Sequence, residues 1–90
     1  MLVLPAVLTH EEAAPCGRML AQALQAQPGN TAVADASALK DFDSAALAVL
    51  LDCRREALAA GKTFHVAHMP GRLRDLATLY GVNELLPAAP

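Results

Sequence analysis

The stretch TAVADASALKDFDSAALAVLLDCRREALAAGKTFHVAH, residues 31–68, sets two short alternating runs on either side of one long run of small and aliphatic residues. "TAVAD" reads as a short buried strand ending in Asp35, and "KTFHVAH" alternates as a second. Between them the spacing predicts a helix from about Ser44 to Ala60. It stops at Gly61, a residue that can take a left-handed cap at no steric cost. "ASALKDF" is the connection into that helix. Strand, helix, strand at this length is the unit that joins parallel neighbours in a sheet.

The pattern extends in both directions. Met1 to Leu4 is short, aliphatic and stopped by Pro5, as a brief strand would be. "THEEAAPCGRMLAQALQAQ" then places Cys16, Met19, Leu20, Ala23 and Leu24 three and four apart, the spacing of an amphipathic helix. Thr9 and Glu12 have the spacing of a capping box. Pro15 has no backbone N–H to donate, so the expectation is a short lead-in turn with Pro15 in the first turn of the main helix. "PGN" at 28–30 is a turn. On the C-terminal side, "PGRLRDLATLY" is a helix with proline at its start and Gly81 at its end, and "VNELLPAAP" a last turn and tail. The fold class is therefore α/β, one domain over residues 1–90, with a small, mostly parallel sheet and helices packed on it. So small a sheet leaves long edges with unpaired backbone groups, which makes a homodimer or docking on another protein an expectation.

Composition narrows the function. Seven Lys and Arg against nine Asp and Glu give a net charge of −2, and 3% of residues are aromatic. Such a chain has neither the cations to neutralise a run of phosphates nor the rings to stack on bases, so nucleic acid is not an expected partner. The opening "MLVLPAVLTHEE" lacks a basic leader and meets Pro5 and then glutamates, so neither a signal peptide nor a spanning helix is expected of it. A cytoplasmic location follows as the expectation, with any membrane contact indirect. Cys16 and Cys53, without a CxxC spacing, are expected as buried thiols rather than a disulfide.

The pair Asp43-Ser44 precedes the most apolar helix of the chain. Asp or Ser at a helix N-terminus accepts a backbone hydrogen bond worth about 1 kcal/mol, so capping is one reason for it. Capping does not explain why Ala45, Ala46, Leu47, Ala48, Val49, Leu50 and Leu51 go right round the helix. One stripe can face the sheet while the other must face something else. A partner protein could cover it, and a hydroxyl beside it could be phosphorylated, since the helix dipole tolerates the added charge.

These residues also carry a resemblance. A strand ending in Asp, a loop, the "DS" pair, a helix rich in small residues and leucine, then Gly and a strand, resemble the STAS domain, the fold of bacterial anti-sigma-factor antagonists and of transporter-associated regulatory domains. "LVLP" at the start, Pro15 early in the first helix, "DSAALAVLLD" and the closing "LRDLATLYGVNELLP" are most similar to its MlaB group, the small cytoplasmic subunits of Mla ABC transporters for phospholipids. The resemblance implies a non-catalytic protein that binds the ATPase subunit of an ABC-type phospholipid transporter, in the service of outer-membrane lipid asymmetry. It places the partner-binding surface at Asp43, Ser44, Ala46, Leu47 and Leu50. Its alternative is an anti-sigma-factor antagonist whose partner is an anti-sigma factor kinase and whose phosphosite is Ser44. Two departures stand out. Ala45 and Ala46 follow the hydroxyl where STAS domains often have glycine, and the sheet looks trimmed at both ends.

Other chemistry is poorly supported. His65 and His68 lie three apart across a strand end and the cysteines are on different helices, so no set of three or four convergent metal ligands is expected. Ser44 has no GxSxG elbow, which argues against a hydrolase. No GxxxxGK[ST] or GxGxxG occurs, and Arg72 and Arg74 read as a solvated face. No cofactor and no catalytic residue is expected.

Overall fold

In the computed structural model, which describes residues 1–89, the elements run β1 (Leu2–Val3), β2 (Val7–Leu8), α1 (His10–Ala26), β3 (Thr31–Asp35), β4 (Asp41–Phe42), α2 (Ala45–Ala59), β5 (Thr63–Ala67) and α3 (Gly71–Leu79), with a 3-10 turn at Asn83–Leu85. The main sheet has the order β1-β3-β5, parallel throughout. The register sets Leu2 and Val66 on either side of Ala34, and Phe64 beside Ala32. All five are buried and share one face. Alanine in the central strand leaves room in that layer for Leu20 and Leu24 of α1 and Leu50 of α2, which join it in one core. Close packing of this kind fixes both helices on the sheet. Val33 and His65, paired on the other face, are only half-buried, and Val3 is exposed.

The N-terminus of α1 forms as the sequence predicts. Thr9 and Glu12 close a capping box, with the Glu12 carboxylate accepting the Thr9 backbone N–H at 3.3 Å and also its hydroxyl. The expected lead-in turn is absent, because α1 is continuous from His10 and carries Pro15 inside it. Pro15 removes only the bond to the Glu11 carbonyl, close to the helix start, and both residues are exposed, so water can satisfy that oxygen.

Helix α2 answers the question its composition raises. Ala46, Leu47, Val49, Leu50, Cys53 and Ala57 are all buried, and α2 packs against both β5 and α1. The second apolar stripe therefore meets the first helix of the same chain. Gly61 and Gly81 follow α2 and α3 with φ of 75° and 73°, a backbone that glycine adopts freely.

Two features differ from the expected layout. Residues 41–42, within the expected connection, form a strand: Val7 pairs with Asp41 and Leu8 with Phe42 in a second, two-stranded parallel sheet. The Ala6 carbonyl anchors it by accepting the N–H groups of Lys40 and Asp41 at 2.8 and 3.0 Å. At the C-terminal end, Val66 donates to the Pro87 carbonyl at 2.9 Å and accepts from Ala89 at 3.0 Å, an isolated parallel bridge at Ala88 in place of a full strand. The end of the expected tail, Pro90, lies outside the described residues.

Candidate docking surface

Strand β4 delivers the chain to Asp43, whose carboxylate caps two helices. One oxygen accepts the N–H of Ala45, the first residue of α2, at 2.8 Å. The other accepts the N–H of His10, the first residue of α1, at 3.1 Å. Carboxylates at helix N-termini are favoured by the exposed N–H groups and the dipole together. Ser44 already has helical angles, φ −62° and ψ −16°, and its side chain makes no capping bond. The capping expected of the pair thus belongs to Asp43, which leaves the Ser44 hydroxyl exposed and uncommitted.

Ser44 opens onto a shallow groove of about 320 Å³ whose lining is mainly apolar. Leu47, Ala48 and Leu51 of α2 form one wall, and Tyr80 and Val82, just beyond α3, form the other. The expected contact residues divide here. Ala46 and Leu50 have no exposed surface and belong to the chain's own core, and Leu47 shows only 4%. Ala46 and Leu50 face inward because α1 and the sheet occupy the side to which their positions on α2 point, whereas Leu47 reaches the groove with its little exposed surface. At this end of α2 the groove is lined instead by Ala48, Leu51 and Tyr80.

The second wall was not legible from the sequence, since only tertiary packing brings Tyr80 beside Ala48. An apolar pair "LY" just before Gly81 was the available signal, and Leu79 and Tyr80 prove to be 78% and 59% exposed. Arginine side chains hold this wall. Arg74 donates through one Nη to the Asn83 side-chain oxygen at 2.6 Å and to the Leu86 carbonyl at 2.9 Å. Arg72 lies over the Phe42 ring, 5.0 Å from its centre, and so links α3 to β4. Arg74 is half-buried and hydrogen-bonded instead of forming the solvated face expected of it, whereas Arg72 remains exposed as expected.

The remaining titratable side chains are placed as follows. Cys16 and Cys53 are buried free thiols on facing helices. Burial, with smaller contributions from Cys16, Asp52 and Glu56, pushes the Cys53 thiol up to about 12, and burial also raises Cys16. Asp35, at the end of β3, accepts the Ser37 backbone N–H at 3.0 Å and faces His68 at 3.7 Å. Its carboxyl is held below the usual range first by the backbone and side-chain hydrogen bonds of Ser37 and then by His68. His68 has φ of 56°, a left-handed backbone. No cluster of three or more metal-ligating side chains occurs among the described residues, and no helix there is long and apolar enough to cross a membrane.

The order of elements, the parallel sheet and the capped Asp-Ser helix start agree with a family model described as MlaB, STAS domain, which matches residues 1–87. The chain belongs to this STAS family. No curated protein matches it. Among solved structures, this STAS domain is similar to a Thermotoga maritima protein described as an anti-sigma factor antagonist, with a TM-score of 0.74 over 96% of this chain and 75% of the other. At 16% identity that likeness shows the fold. STAS domains are known as binding domains without chemistry of their own.

Proposed function

We propose that this STAS domain acts by binding. It docks on the cytoplasmic ATPase of an ABC-type phospholipid transporter and supports the assembly or activity of that complex. ATP hydrolysis belongs to the partner. The observation that carries the reading is the open apolar groove beside Ser44, formed by Ala48 and Leu51 on one side and Tyr80 and Val82 on the other. Ala48 and Tyr80 are exposed over half-buried Leu51 and Val82, and an open apolar groove of this kind is what a protein partner covers. The MlaB description of the matching family supports the choice of partner.

A second reading rests on the free, exposed Ser44 hydroxyl at a helix N-terminus: an anti-sigma-factor antagonist that changes partners when Ser44 is phosphorylated. One experiment separates the two. The tagged chain and its Ser44→Asp variant are used to recover partners from the native cells, and these are identified by mass spectrometry. Recovery of an ABC ATPase with its membrane subunit supports the first reading. Recovery of a kinase-like anti-sigma factor that the Asp variant loses supports the second and overturns the first.

A further inference from the structure

The Asp43 carboxylate sits between the starts of two helices and lies 33 residues from His10, the first residue of α1. It holds Ala45 N–H with one oxygen and His10 N–H with the other, so the position of Ser44 is fixed relative to α1 as well as α2. A group that bridges two elements sets their mutual geometry, and Asp43 itself is not among the residues that line the groove.

We propose that Asp43 is a positioning residue for the docking groove, acting through the His10 N–H, and not a group that touches the partner. This rests on the ATPase-docking reading above. Without the α1 arm of the bridge, the β4–α2 junction is held only from the α2 side, and Ser44 at the mouth of the groove moves more freely. Loss of affinity then comes from ordering that junction on binding.

His10 provides a clean test because it is the first residue of α1, where proline is tolerated and the N–H is not used within the helix. Thr9 before it is extended, φ −97° and ψ −178°, as a residue preceding proline should be. His10→Pro removes the N–H and leaves the Asp43 side chain untouched, whereas His10→Ala removes the imidazole and keeps the N–H. Each variant is titrated against the ABC ATPase recovered by the tagged chain, with Ala48→Glu as the control that blocks the groove itself.

The expected result is wild-type affinity for His10→Ala and a loss of about 3- to 10-fold for His10→Pro, the scale of one exposed charge-assisted hydrogen bond. Equal affinity of His10→Pro and wild type overturns the proposal, as does an equal loss in both His10 variants, which would make the imidazole a contact. Should His10→Pro fail to fold, Asp43→Asn replaces it. The amide has one oxygen and can keep only one arm of the bridge, and it should show the same loss, with amide exchange accelerated at His10 and not at Ala45. An unchanged His10 amide in D43N together with unchanged affinity overturns the proposal. If Ala48→Glu binds as wild type does, the groove reading itself fails, a result distinct from all of these.

Discussion

Arg74 reaches Asn83 across the end of α3, with Nη1 2.6 Å from the side-chain oxygen, and the same nitrogen donates to the Leu86 carbonyl at 2.9 Å. This half-buried pair closes the chain from α3 into the 3-10 turn and holds Val82 where it lines the groove. Arg74→Ala leaves the Asn83 oxygen and the Leu86 carbonyl short of a donor. The expected cost is about 1–2 kcal/mol, a fall in Tm of roughly 5–15 °C for a domain of this size. Thermal melts of Arg74→Ala and Arg74→Lys measure it. The lysine variant should fall between, because one ammonium reaches fewer acceptors in the geometry of a guanidinium.

Helix α2 should divide sharply into positions that matter for stability and positions that matter for binding. Leu50 is fully buried, and Leu50→Ala is expected to cost about 3 kcal/mol, from lost transfer energy and a residual cavity. Ala48 is exposed, so Ala48→Glu should leave stability within about 0.5 kcal/mol of wild type. Urea unfolding of the two variants checks the division. Comparable losses in both would mean that Ala48 is packed and that the groove is closed.

Cys53 predicts an alkaline limit. Its thiol is raised to about 12 in the folded chain, so folding favours the protonated form. Stability from this group is intact below the unfolded thiol's pKa of about 8.5 and is lost as pH climbs from there towards 12. Cys53→Ala should lose this alkaline sensitivity, at some cost in packing. In neutral buffer neither thiol should react with a disulfide reagent unless denaturant is added; rapid labelling of the native chain would contradict their burial.

Asp35 predicts the opposite limit. Its carboxyl is depressed in the folded chain, chiefly by the Ser37 backbone N–H and then by the Ser37 side chain and His68. The stability it brings is present above the unfolded carboxylate range, near pH 4, and is lost as pH falls through the lower folded value. Asp35→Asn should flatten the acid limb of a stability-against-pH curve. An unchanged limb would mean that the Ser37 contacts do not persist in solution.

The central strand-helix-strand unit was legible because each signal in residues 31–68 acts locally: alternation in "TAVAD" and "KTFHVAH", the apolar run between, and Gly61 to end it. The capping box of Thr9 and Glu12 was legible for the same reason. Strands β2 and β4 were not, since two residues carry no periodicity and their pairing depends on the Ala6 carbonyl meeting Lys40 and Asp41 from across the chain. Pro15 misled because its cost depends on whether the orphaned Glu11 carbonyl faces water. At the candidate docking surface, the sequence pointed to the start of α2 but could not say which side faces outward. Ala46 and Leu50 turn inward because α1 covers that side, and Tyr80 and Val82 join the surface through the fold alone.

The central claim is that an ABC ATPase binds across the groove between α2 and the end of α3. Isothermal titration of the purified ATPase subunit with wild-type chain and with Ala48→Glu, both first shown to melt alike, tests it most directly. Docking across this groove should give saturable binding of the wild type and a loss of at least about 100-fold for Ala48→Glu, a buried charge placed in an apolar contact. Equal affinity of the two chains, or no heat from either, would contradict it.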